Sequence, residues 1–118
     1  VKKVFLFTVA LMVFSCGDKE QIPDNILSEA QMVDLMIDIR IAEGKVSTIT
    51  LSNDSSAALY KVLEEQVFED HNIDSTEYIT SYNYYLLNPA KFLRITDIVI
   101  DSLKVRQQEL TTGRRPAN

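Results

Sequence analysis

The chain has one cysteine, one histidine, three glycines and no tryptophan among its 118 residues. Each scarcity removes a class of chemistry. A lone cysteine, Cys16, has no intramolecular partner, so no internal disulfide reinforces the fold. With His71 as the single histidine, a His-Glu-x-x-His zinc motif is impossible. Gly17, Gly44 and Gly113 are too scattered to build a phosphate-cradling loop, and Gly-x-Ser-x-Gly does not occur. A formal net charge of −5 argues against nucleic acid as a partner. The longest apolar run, Val4 to Phe14, is short of the roughly 20 residues that span a bilayer.

That run is nevertheless the most informative stretch. Lys2 and Lys3 introduce it, and Val13-Phe14-Ser15-Cys16 follows in the manner of a lipobox. A basic start, a short greasy core and a small residue before the cut describe a secretory signal. The expected organisation is a signal peptide over residues 1–15 and a lipid on Cys16. A polar tether over 16–26, a helical domain over 27–110 and a disordered tail over 111–118 then follow. The mature chain, about a hundred residues, suits one small domain. The first partner is thus a membrane, reached through the lipid on Cys16. Gly17 is not an inner-membrane retention signal, so the outer membrane is expected. Asp18 and Glu20 weakly resemble acidic tags for surface export; the leaflet stays open.

Loss of Lys2 and Lys3 takes the formal charge from −5 to −7. The remainder is uneven. Asp18 to Glu77 holds 14 acids and 4 bases, whereas Tyr78 to Asn118 holds 3 acids and 6 bases. The two halves can attract each other within one fold or orient a partner.

The pattern predicts an all-α fold, a small bundle of about four helices. Ser28-Glu29-Ala30-Gln31 is a capping box, so the first helix starts there and ends near Gly44. Met32, Leu35, Met36, Ile39 and Ala42 share one arc, and Val33, Ile37 and Ile41 cover much of the rest. A helix this apolar belongs at the centre. Val46 to Asn53 reads as a loop that tucks an apolar residue inward. The second helix runs from about Asp54 to His71 on a stripe of Leu59, Val62, Leu63 and Val67. Asn72 is its left-handed stop, with Ile73 as capping contact. A second capping box, Asp74 to Glu77, starts the third helix, with Tyr78, Tyr82 and Tyr85 on one face. Asn88-Pro89 ends it and begins the fourth, Asn88 acting as cap. Phe92, Ile95, Val99, Leu103 and Leu110 form the fourth helix's stripe.

Several segments together carry a resemblance. They are Leu27-Ser28-Glu29 with Met32 and Val33; Asp38-Ile39-Arg40-Ile41-Ala42-Glu43; Tyr60; Phe68 to Ile73; Ser81 with Tyr84-Tyr85; and Asn88-Pro89. In this order and spacing the chain resembles the small Bacteroidota lipoproteins grouped as domain of unknown function 4296, over roughly residues 22–106. The resemblance implies a lipid-anchored, short, all-helical domain. It brings no activity with it. Gly44 departs from the alanine frequent in relatives, which implies a looser end to the first helix.

The candidates for chemistry are few. His71 at a helix end is expected to act as a favourable charge near the C-terminal dipole. Asp34 with Asp38, and Asp97 with Asp101, lie one turn apart and read as solvated faces rather than cation sites. Asp38, Arg40 and Glu43 interrupt an apolar helix and are the first partner-binding candidates; Arg40 and Glu43 are spaced to pair. Tyr84, off the core face of its helix, is the fourth. No enzyme activity, cofactor or metal is expected. The leading expectation is a non-catalytic envelope lipoprotein that binds another envelope protein. The alternative is a glycan- or peptide-binding surface lipoprotein using the tyrosine face.

Overall fold

A computed structural model describes residues 21–113, so the stretch read as a signal peptide, Cys16 and the end of the expected tail lie outside the described residues. The described part is all-α, as expected, with four helices and no strand: α1 (Glu29–Ser47), α2 (Asn53–Asp70), α3 (Ser75–Leu86) and α4 (Pro89–Thr111).

Local chemistry sets most boundaries. Ser28 caps α1 reciprocally with Gln31: Ser28 Oγ accepts from the Gln31 N–H at 3.2 Å, and Gln31 Oε1 accepts from the Ser28 N–H at 2.9 Å. At the end of α2, Asn72 adopts φ 54°. The Ile73 N–H then reaches the Phe68 carbonyl at 3.1 Å and the Asn72 N–H the Glu69 carbonyl at 3.0 Å. That is a Schellman closure, which satisfies carbonyls the helix leaves open. Asp74 caps α3 by accepting from the Glu77 N–H at 2.8 Å. Pro89 opens α4 at its first helical position.

The core forms around α1, which buries Met32, Val33, Leu35, Met36, Ile37, Ile39 and Ala42. Only α1 packs substantially on all three other helices; α3 and α4 also pack on each other. The neighbours contribute less: Val67 and Phe68 from α2, Tyr85 from α3, Ile95 and Val99 from α4. A helix apolar nearly all round therefore sits in the middle. The chain leading into α1 is held by a small polar network. The Leu27 N–H donates to Ser81 Oγ at 2.9 Å, and the Tyr85 hydroxyl donates to the Leu27 carbonyl at 2.7 Å. Ser81 Oγ in turn donates to the Glu77 carbonyl at 2.7 Å. Ser81 and Tyr85 are fully buried, and both backbone groups of Leu27 are satisfied by α3 side chains. Burial also pushes the Tyr85 hydroxyl's pKa upward, which keeps it a neutral donor.

Five local expectations change. The first helix does not stop near Gly44 but continues to Ser47, because a glycine costs only about 1 kcal/mol relative to alanine inside an otherwise willing helix. The loop after it tucks nothing in: Ile49 and Leu51 are both exposed. Asn88 holds the N-cap position of α4 but makes no side-chain capping bond; its amide Nδ2 turns back to donate to the Tyr84 carbonyl at 2.6 Å. Val62 and Leu110, both assigned to buried stripes, are 61% and 76% exposed. Part of the stretch read as a tether is folded: Pro23–Ile26 closes a turn at 3.0 Å and Ile26 packs against the core.

Candidate functional site

The four partner-binding candidates are not one site. Arg40 and Glu43 meet, with Arg40 donating to Glu43 Oε2 at 2.8 Å within α1. Both remain about half exposed, at 52% and 41% of the side chain. The bond to Glu43 is the main reason the Arg40 pKa rises above its ordinary value. Asp38 is on another face. Its Oδ2 lies 2.8 Å from His71 Nε2, linking α1 to the end of α2. His71 is thus a cross-helix partner, a role that sequence position alone does not reveal. Tyr84 is half-buried rather than exposed. Its ring meets Tyr85 edge-on at 5.2 Å, and Lys91 Nζ stands 5.8 Å from its centroid. Tyr84 is therefore part of the α3–α4 packing.

Around Arg40 and Glu43 the fold builds a small polar hollow of about 200 Å³, where α1, α2 and α3 meet. Tyr60, Glu64, Tyr78 and Tyr82 complete its wall over a floor of Met36 and Ile39. The Tyr60 hydroxyl donates to Glu64 Oε1 at 3.1 Å. Tyr78 and Tyr82 belong to an aromatic ladder, Phe68–Tyr78–Tyr82–Phe92, with centroids 5.6, 5.9 and 5.6 Å apart. Burial, aided by the nearby carboxylates, pushes the pKa values of Tyr60 and Tyr78 up to about 12. Both phenols are therefore neutral at physiological pH.

A second, larger feature lies on the other side of α1. A groove of about 1000 Å³ runs between α1 and the C-terminal half of α4. Ile37 and Ile41 form one wall; Leu103, Val105 and Leu110 form much of the other. Asp34, Asp101 and Glu109 surround a single base there, Arg106. Glu29, at the start of α1, is joined to Arg94 of α4 by two bonds of 2.7 and 3.3 Å. The two helices thus run in the same direction, and the groove opens where the tight contact ends. The apolar periodicity of α4 was visible in the sequence; the point at which its partner surface falls away was not. Among the described residues no group of three or more His, Cys, Asp or Glu is placed to hold a metal. No described helix is long and apolar enough to cross a membrane.

These features define a small, all-α domain organised around one central helix, with a polar hollow on one side of it and a largely apolar groove on the other. The chain belongs to the family described as domain of unknown function (DUF4296), whose match covers residues 23–109, well over half its length. No curated protein and no solved structure matches it.

Proposed function

We propose that the protein is a non-catalytic lipoprotein of the cell envelope, anchored through Cys16 and holding another envelope protein in the α1–α4 groove. The observation that carries this reading is Leu110. It continues the buried stripe of α4 by helical spacing, yet it stands 76% exposed at the groove's rim. Exposed apolar side chains that line one groove, as Leu110 and Val105 do beside Ile37 and Ile41, match a surface that another molecule covers. The occupant is an amphipathic helix of the partner, with an apolar ridge that seats between Ile41 and Leu110. Three carboxylates against one arginine along the groove favour basic flanks on that helix. The lone histidine is engaged with Asp38, and Arg40 with Glu43, which suits a binding role better than proton transfer.

Two experiments test this reading. Cys16→Ser should release the protein from the membrane fraction; retention through high-salt washing contradicts the anchor. A photocrosslinking residue at position 110, in living cells, should join the protein to one envelope partner through a basic, amphipathic segment. The same residue at the exposed position 62 on α2 should not. Equal yields from both positions, or adducts to many unrelated proteins, contradict the groove as the docking surface.

A further inference from the structure

The hollow around Arg40 is separate from the groove and has a chemistry of its own. Its groups alternate in hydrogen-bonding character. Arg40 donates only, Glu43 and Glu64 accept only, the phenols of Tyr78 and Tyr82 can do both, and that of Tyr60, which donates to Glu64, can still accept. Arg40 engages Glu43 through Nη1; its remaining N–H groups make no bond to any described residue, and the side chain is 52% exposed. Nor do the hydroxyls of Tyr78 and Tyr82 have a partner among the described residues. Among the described residues no buried polar side-chain atom lacks a partner, so those two hydroxyls are open to solvent.

The charge balance narrows the ligand. An anion would meet two carboxylates, and Arg40 is already neutralised by Glu43. A cation would find Glu43 already paired with Arg40 and Glu64 already accepting from the Tyr60 hydroxyl. A neutral molecule rich in hydroxyls, each both donor and acceptor, pairs with all of these groups without a charge penalty. The edges of the tyrosine rings offer an apolar surface to C–H bonds. The volume, about 200 Å³, is below the range typical of drug-sized ligands and suits a single ring. We propose that the hollow lined by Arg40, Glu43, Tyr60, Glu64, Tyr78 and Tyr82 binds one neutral pyranose unit of a saccharide. Arg40 and Glu43 grip neighbouring hydroxyls from one side, and the tyrosine hydroxyls close on the ring from the other. This site stands whether or not the α1–α4 groove holds a protein.

The test uses the chain's own spectroscopy. There is no tryptophan, and three of the five tyrosines line the hollow, so tyrosine emission reports on it directly. The full chain, purified from envelopes in a detergent without a sugar headgroup, is titrated with the methyl glycosides of glucose, galactose, mannose and N-acetylglucosamine. Ethylamine and acetate serve as cation and anion controls. At least one glycoside should change the emission saturably and show saturation-transfer NMR contacts, while both controls should do neither. Tyr78→Phe removes one hydroxyl and keeps the ring in its ladder; it should weaken that glycoside about fivefold, the worth of one hydrogen bond. Arg40→Gln should weaken it more, and His71→Gln, on another face, should leave it unchanged. The proposal is overturned if no glycoside binds at tens of millimolar, if acetate or ethylamine binds as well, or if Tyr78→Phe melts normally and binds unchanged.

Discussion

The two halves of α4 carry one apolar stripe and meet two different fates. In the first half Ile95 is fully buried and Val99 nearly so, and Arg94 is tied to Glu29 at the start of α1. In the second half the same spacing gives Leu103, half-buried, and then Leu110, which faces water beside an open groove. Amphipathic periodicity therefore says which side of a helix is greasy, not how far its own fold covers that side. The difference between the halves separates residues that the fold buries from residues that it leaves in water.

The strongest test of this contrast is energetic. Ile95→Ala, or Leu35→Ala in α1, should cost about 2–5 kcal/mol of stability, since each leaves a cavity in a small core. Leu110→Ala should cost less than about 0.5 kcal/mol, as for an exposed surface site. Urea denaturation of the three variants measures all of this, and equal losses at Ile95 and Leu110 would break the contrast.

The clamp on Leu27 should come next in size. Ser81→Ala leaves the Leu27 N–H buried without its acceptor, and Tyr85→Phe removes the donor to the Leu27 carbonyl. Each should cost about 1–3 kcal/mol. Hydrogen exchange at the Leu27 amide should accelerate in Ser81→Ala and far less in Leu110→Ala.

Two smaller effects sharpen the picture. Gly44 lies within α1, and a Cβ added there meets no atom within 4 Å. Gly44→Ala should therefore stabilise the domain by about 0.5–1 kcal/mol, read as a higher melting temperature. Alkaline pH gives the other. Tyr60 and Tyr78 titrate near 10.0 when unfolded and at about 12 when folded. The fold thus favours the protonated phenols. Their contribution is complete below pH 10 and is lost as pH rises from there toward about 12. Denaturation at pH 9 and pH 11 should show that loss, and Tyr78→Phe should reduce it.

Much of the fold was legible because its signals are local. Ser28 with Gln31, Asn72 before Ile73, and Pro89 each fix a boundary through chemistry within a few residues, and all three stand where the pattern places them. The centrality of α1 was legible too, since a helix apolar on nearly every face has nowhere else to go. The illegible parts depend on residues far apart in the chain. Asp38 finds His71 33 positions away, and Glu29 finds Arg94 65 positions away. Neither pairing has a sequence signature. The hollow around Arg40 needs three helices to assemble it, so its α1 pair and the tyrosine face of α3 read as separate candidates. Val62 and Leu110 misled for one shared reason: helical spacing marks a stripe without marking its end.

The most direct test of the account is carbene footprinting of side chains, comparing the purified chain with the same chain in its native envelope. Leu110, Val105 and Ile41 should label readily in the purified protein and lose that labelling in the envelope, while Val62 on α2 labels equally in both. Unchanged labelling of the groove residues, or protection of Val62 to the same degree, would contradict the claim that the second half of α4 is kept open for a partner.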